Sequence, residues 1–256
     1  MSQNQGDWNA RQRQIHEQIA QSGEVRISEL SERYGVTEMT IRRDLEKLEE
    51  GGSVRRTFGG AIYVYRDVAL QERTGLFTDE KIRIGRRAAA LIGEGESVFL
   101  DGGTTTLQIA RALRAGRQIT VITNALNIAA ELASKQIPTI MTGGMLLEST
   151  HSLVGPIAAQ SLSGMAFDRA FLGATGLSDE HGFSNSNLYE AEIKRLAVRQ
   201  AKDVTVVLDH TKFGARVLVS FAGLADVRRI VTDRLPEDGL GQACRDAGVE
   251  ILSASE

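Results

Sequence analysis

The sequence predicts an α/β protein made of two unequal domains. Three observations lead there. From residue 79 onward, short runs rich in Val, Ile and Thr alternate with stretches whose apolar residues recur every three or four positions, the pattern of a largely parallel sheet with crossover helices. Residues 8–64 lack that alternation and carry three helical patterns followed by a Gly-Gly turn. Between them, YRDVALQERTGLFT has mixed polarity and little periodicity, as a connector does. The expected division is a domain over 8–64, a linker over 65–78 and a domain over 79–256.

The N-terminal domain reads as a helix at 9–21, a short strand VRI at 25–27, a helix at 28–34, a turn at Gly35, a helix at 37–50 and then a basic stretch, SVRRTFGGAIYV. Ser28 and Thr37 are N-cap residues for the second and third helices. Two short capped helices around a turn containing Gly make a helix-turn-helix pattern, with Leu30, Val36, Ile41, Leu45 and Leu48 packing the pair. In the larger domain the strands are SVFLD (97–101), ITVIT (119–123), PTIMT (138–142), RAFLG (169–173), VTVVL (204–208), RRIVT (228–232) and EIL (250–252). Helical periodicity covers 79–92, 104–114, 125–134, 156–163, 188–201 and 237–246.

Composition excludes several functions. With 42% hydrophobic and 25% charged residues, the chain of 256 residues can bury a core. Aromatic residues, at 5%, are too scarce for a stacking platform or cage. The one cysteine, Cys244, allows no intramolecular disulfide and no metal cluster, and His16, His151, His181 and His210 show no ligand spacing. No metal and no cofactor are expected. The N-terminus lacks an apolar signal region and no apolar run reaches spanning length, so a cytoplasmic protein without a membrane partner is expected.

The net charge of -3 hides a local pattern. On the helix TEMTIRRDLEKLEE, Ile41, Leu45 and Leu48 share one face at ~100° per residue. Met39 and Arg43 point nearly opposite, with Thr40, Arg42, Glu46 and Lys47 on the flanks. Arginine offers a fork to guanine O6 and N7, and threonine suits a phosphate or a thymine methyl, so this face suits a major groove. Asp44 would repel phosphate there and is expected to pair with an arginine or to cap a neighbour. Residues 51–66 carry Arg55, Arg56 and Arg66 and no acid, and Gly59-Gly60 lets the strand reverse. A basic hairpin after the second helix of the pair is a wing that grips flanking backbone or minor groove. Over residues 1–66 basic and acidic residues number ten each, so placement alone carries the argument. The DNA-binding set is Ser28, Thr37, Met39, Thr40, Arg42, Arg43, Lys47, Arg55 and Arg56, with double-stranded operator DNA as partner.

Thr40-Ile41-Arg42-Arg43-Asp44-Leu45, followed by Arg55-Arg56 and Gly59-Gly60-Ala61, resembles the N-terminal module of DeoR-type bacterial transcriptional regulators, the glycerol-3-phosphate regulon repressor type among them. The resemblance implies a winged helix-turn-helix, with the first string on its recognition helix and the second on its wing.

The larger domain carries its own signal in SVFLDGGTTTLQIA. A buried strand ends at Asp101, Gly102 and Gly103 turn the chain, and Thr104, Thr105 and Thr106 open a helix. Glycines let amides approach a ligand, the helix N-terminus favours an anion, and the hydroxyls add donors, which together predict a seat for phosphate or carboxylate. No lysine follows, so this is not a P-loop. Other predicted strands end in polar groups: Thr123-Asn124, Gly143-Gly144, and Asp209 with Lys212. Open parallel sheets bind ligands beyond the carboxyl ends of their strands, so these loops are expected to converge. Lys212 supplies a cation; Asp101 and Asp209 supply acceptors for sugar hydroxyls. Lys194, on the helix predicted over 188–201, completes the effector-binding set together with Glu190.

DGGTTT, TNAL, TGG, DRAFLGATG and DHTKF resemble the sensor domain of the same regulators, which is similar in fold to ribose-5-phosphate isomerase. The isomerases carry an acidic D-G-A-D-E stretch. Here Leu172 and Thr175 stand where its two aspartates would be, and Phe183-Ser184-Asn185-Ser186-Asn187 replaces a loop with a lysine. Glu190 or Glu192 corresponds to a later glutamate. The resemblance thus implies a pocket retained for a phosphorylated sugar and stripped of its proton-transfer groups, with no catalytic residue. The expected function is a sequence-specific repressor of a sugar-catabolism operon, acting as a homo-oligomer (dimer or tetramer) under a phosphorylated sugar effector. Two alternatives stay open: a sugar-phosphate isomerase or CoA transferase-like enzyme with an added N-terminal domain, and a constitutive DNA-binding protein whose large domain only oligomerises.

Overall fold

The computed structural model describes residues 8–22, 24–50, 54–63, 78–236 and 239–254. The chain divides into two units between Val68 and Ala69. The first consists of α1 (Ala10–Ser22), β1 (Glu24–Arg26), α2 (Ile27–Tyr34), α3 (Glu38–Glu50), β2 (Val54–Arg56) and β3 (Gly60–Tyr63). β3 lies between β1 and β2, antiparallel to both, which makes the β2–β3 hairpin a wing anchored on the strand between α1 and α2. Ile15 and Ile19 of α1, Leu30 of α2, and Ile41, Leu45 and Leu48 of α3 meet in one fully buried cluster. The predicted spacing therefore does its work: each such side chain withdrawn from water contributes about 1.5–3 kcal/mol.

The predicted N-cap at Ser28 is corrected. The strand covers 24–26 rather than 25–27, α2 begins at Ile27, and Arg26 holds the N-cap position without a side-chain bond. Ile27 is buried and donates its N–H to the Gly59 carbonyl at 2.9 Å, so the wing pins the first residue of α2. Ser28 stands exposed in the first turn. Gly35 ends α2 at φ 62°, a left-handed conformation cheap only for glycine. Thr37 caps α3 as expected, its hydroxyl accepting the Thr40 N–H at 3.3 Å and meeting the Thr40 hydroxyl at 3.0 Å.

The second unit runs α4 (Thr78–Ala89), β4 (Ser97–Leu100), α5 (Thr104–Ala112), β5 (Thr120–Thr123), α6 (Leu126–Ser134), β6 (Thr139–Met141), β7 (Met145–Leu147), β8 (Ser152–Val154), α7 (Pro156–Ser163), β9 (Phe167–Gly173), β10 (Gly176–Ser178), β11 (Gly182–Asn185), α8 (Leu188–Gln200), β12 (Ala201–Val207), β13 (Val219–Ala222), β14 (Arg229–Thr232), α9 (Gly239–Asp246) and β15 (Glu250–Ser253). The linker predicted over 65–78 lies outside the described residues except at Thr78, as do the first two residues predicted for the last helix.

All seven predicted strands form one parallel sheet, in the order β15-β14-β12-β9-β4-β5-β6. Successive residues point to opposite faces. Val98, Leu100, Val121, Phe171 and Val207 pack with α4, α5 and α6 on one side. Phe99, Ile122, Ala170, Leu172 and Val206 pack with α7, α8 and α9 on the other. Helices on both faces bury the central strands, which is why those strands read as nearly continuous apolar runs.

Candidate functional site

On α3, Met39, Arg42, Arg43, Glu46 and Lys47 are exposed, and Thr40 is half-buried against its cap partner. Arg43 and Lys47 make no ion pair with a described residue, and Arg42 reaches Glu38 only at 3.7 Å. Asp44 is turned inward, paired with Arg11 at 2.7 Å and accepting from Gln12 at 2.9 Å. The acid of the RRD string is therefore absent from the basic face. Arg56 leans onto α3: its backbone N–H donates to Glu49 at 2.8 Å and its Nε lies 2.7 Å from the same carboxylate. The bond from that amide, then the guanidinium, hold the Glu49 carboxyl below its usual range. Arg56 thus fastens the wing to the helix. The Arg55 side chain and Arg66 lie outside what is described.

In the second unit, chain connectivity reverses between the neighbouring strands β4 and β9. β4 leads to β5 and β6 on one side; β9 leads to β12, β14 and β15 on the other. Such a switch point opens a crevice at the strands' carboxyl ends. Asp101 follows β4, and its Oδ2 accepts the N–H of Gly173, the last residue of β9, at 3.1 Å. Lys194 of α8 reaches the same spot, ion-paired to Asp101 and donating to the Gly173 carbonyl at 3.0 Å, with both side chains buried. Asp101 and Lys194 therefore neutralise one another and tie the two central strand ends together.

Thr123 and Asn124 also build the frame. The Thr123 hydroxyl donates to the Leu100 carbonyl at 2.7 Å and accepts the Ala125 N–H at 3.1 Å. Asn124 accepts the Gly102 N–H at 3.1 Å. The turn so fixed delivers α5, whose N-cap is Gly103 with no side-chain cap. The first amides of a helix have no intrahelical acceptor. Thr106 spends its hydroxyl on the Gly103 carbonyl at 3.1 Å. Thr104 and Thr105, each 8% exposed, direct their hydroxyls to no hydrogen-bond partner among the described residues.

Of the outer strand ends, that of β6 joins this group through the Thr142 N–H, which donates to the Thr123 carbonyl at 3.2 Å. Gly143 and Gly144 adopt φ 69° and 118°, and a Cβ on Gly144 would lie 2.7 Å from the Val154 carbonyl oxygen. Asp209 accepts the Thr211 N–H at 3.1 Å and is buried as a loop organiser, while Lys212 is half-buried with no ion pair among the described residues. Burial pushes the Asp233 carboxyl up, but two hydrogen bonds from His210, at 2.8 and 2.6 Å, outweigh it and hold the group below its usual range.

Of the two glutamates of α8, Glu190 is buried and Glu192 exposed. Glu190 accepts from Asn185 at 2.8 Å, and Asn185 in turn accepts the Thr175 hydroxyl at 3.0 Å. Leu172 is fully buried in the core. Two residues of this frame escaped the sequence: Asn185, and Ser152, whose side chain sits where a Cβ on Gly102 would be. Their signal is weak, a polar residue inside a strand of three or four residues.

Residues 77–234 match the DeoR C terminal sensor domain, and residues 11–66 match the DeoR-like helix-turn-helix domain. The HTH-type transcriptional repressor GlcR of Bacillus subtilis is 37% identical over 221 residues, covering 85% of each chain. The HTH-type transcriptional regulator GlpR of Haloferax volcanii is 34% identical over 245 residues, covering 94% of this chain and 96% of that one. Among solved structures, ribose 5-phosphate isomerase A of Methanocaldococcus jannaschii superposes on 53% of this chain and 54% of its own at 16% identity, with a TM-score of 0.40. The regulators match over nearly their whole length and both family domains are present: the chain belongs to the DeoR family of transcriptional regulators and is not an enzyme.

Proposed function

We propose that this chain represses a sugar-utilisation operon in the cytoplasm, reading its operator with α3 and the wing and responding to a phosphorylated sugar seated at the start of α5. The observation that carries the effector reading is the α5 N-terminus. It opens at the β4–β9 switch point, lacks a side-chain cap, and carries two threonine hydroxyls that bond to no described residue. The Thr104 and Thr105 hydroxyls, uncommitted within the described fold, are open to the acceptors of a ligand. Helix amides and dipole favour an anion there, and Lys212, which follows β12 and makes no ion pair with a described residue, adds charge. Thr123, Asn124, Asp101 and Lys194 hold the seat's shape. Gly143, Gly144, Asp209 and Glu190 border it, with Glu190 facing the sugar's hydroxyls.

The DNA surface is the exposed face of α3 with Met39, Thr40, Arg42, Arg43 and Lys47, flanked by the wing. A single α3 offers only a few side chains to base edges, so specific binding requires a homo-oligomer on repeated half-sites. The division into 8–64, 65–78 and 79–256 separates reading from sensing.

The test is a melting screen of the full chain against sugar phosphates, followed by DNA titration with each stabilising compound. A ligand bound only by the folded state must raise Tm. The reading expects at least one sugar phosphate to raise Tm and to shift DNA affinity; stabilisation by unphosphorylated sugars alone would contradict it.

A further inference from the structure

The wing ends in a phenyl ring that the fold does not use. Phe58 is 102% exposed at the tip of the β2–β3 hairpin. A single exposed apolar residue is ordinary on a protein surface. This one differs in how firmly its backbone is held. The Thr57 N–H donates to the Gly60 carbonyl at 2.9 Å, which closes a turn with Phe58 and Gly59 at its apex. The Gly59 carbonyl is fixed by the Ile27 N–H at 2.9 Å. Gly60 lies so close to Val25 that a Cβ would overlap its carbonyl oxygen. Arg56, at the base of the turn, is clamped to Glu49 of α3. A bulky apolar side chain is thus carried on a rigid mount, next to the helix that reads DNA, on a stretch of chain (51–66) without an acidic residue.

We propose that Phe58 is a wedge that enters the DNA minor groove beside the major groove occupied by α3, packing on sugar faces and opening a base step. The proposal rests on α3 being the reading helix. Phenyl has no hydrogen-bonding group, so it reads no base edge. Its contribution is contact area and the deformability of the step it opens, which favours flexible pyrimidine–purine steps. The absence of acid on the wing allows the ring to approach phosphates without repulsion.

The experiment uses the full chain and a fluorescein-labelled duplex selected by that chain from a random-sequence pool. Because Phe58 contributes nothing to the core, Phe58→Ala leaves the melting temperature unchanged. It is expected to weaken DNA binding by roughly tenfold or more, the scale of an aromatic contact with bases. The slope of log affinity against log salt stays at the parent value, because no charge is removed. Energy transfer between labelled duplex ends reports a smaller bend, and Phe58→Trp restores both affinity and bend.

Arg43→Ala separates the two readings. If Arg43→Ala loses specific binding while Phe58→Ala binds and bends DNA as the parent does, the wedge is overturned and the reading helix stands. If both variants bind as the parent does, the whole DNA surface is misassigned. If Phe58→Ala instead dissociates the oligomer in sedimentation and DNA affinity falls only as oligomer is lost, the ring covers a second copy of the chain and the wedge is again overturned.

Discussion

Asp44 of α3 and Arg11 of α1 form an ion pair at 2.7 Å, with the Asp44 side chain almost fully buried and Gln12 donating to its other oxygen at 2.9 Å. The acid that follows Arg42 and Arg43 thereby joins α3 to α1, and its charge is spent within the fold. Asp44→Ala leaves Arg11 and Gln12 without their acceptor. It is expected to cost about 2–3 kcal/mol of the N-terminal unit's stability, and Asp44→Asn less. Denaturant titration followed by fluorescence of Trp8, the chain's one tryptophan, measures both.

Trp8 also reports on pH. Its ring lies 4.9 Å from that of His16, and burial pushes the His16 pKa below its ordinary value. The unfolded chain therefore takes up the proton first as pH falls. His16 contributes nothing to the pH dependence well above the ordinary histidine range, and stability is lost as pH drops through that range toward the lower folded value. Melting of the N-terminal unit between about pH 7 and pH 5, in the window set by histidine titration, is expected to show this loss. His16→Gln is expected to flatten it.

The two arginines of RRD are expected to differ in kind from the wing arginine. Arg43→Ala should cost about 1–3 kcal/mol of specific binding and relax specificity at one position, and Arg42→Ala should do so after release from Glu38. Lys47→Ala should weaken binding to all duplexes and reduce the salt slope by about one. Arg56→Ala should act chiefly through the wing, lowering affinity in step with loss of the Glu49 contact. Anisotropy titrations over a salt series distinguish the three.

The parallel sheet was legible because its strands are buried on both faces, so SVFLD, ITVIT and VTVVL read as strands before any partner is known. β7, β8, β10, β11 and β13 were not. They are three- or four-residue segments in one two-stranded and one three-stranded antiparallel sheet, whose stability comes from tertiary contacts, and GFSN has no strand-like composition. The helices α3 and α5 themselves were legible because each rests on local helix periodicity. The role of Asp101 was not: its predicted freedom to accept from a sugar depends on Lys194, 93 positions away. Ser28 misled for a related reason: the contact of Ile27 with the hairpin at Gly59 starts α2 one residue earlier and leaves Ser28 inside the first turn.

Leu172 lies in the core and Thr175 is bound to Asn185, so neither position supplies an acid, and Asp101 at the β9 end is committed to Lys194 and the Gly173 N–H. Incubation with ribose or ribulose phosphate is expected to yield no interconversion. Turnover abolished by Glu190→Gln would contradict the stripped-pocket account.

If the start of α5 seats the effector, its occupancy must alter DNA binding. The most direct measurement is anisotropy of the selected duplex with the parent and Thr105→Val chains, each titrated with the sugar phosphate that most raises the parent's Tm. Thr105→Val keeps the side-chain shape and removes one of the unpartnered hydroxyls, so DNA affinity without effector should match the parent. The account predicts that the effector shifts the parent's DNA affinity by roughly fivefold or more and leaves Thr105→Val nearly unmoved. An equal shift in both chains at the same effector concentration would contradict it.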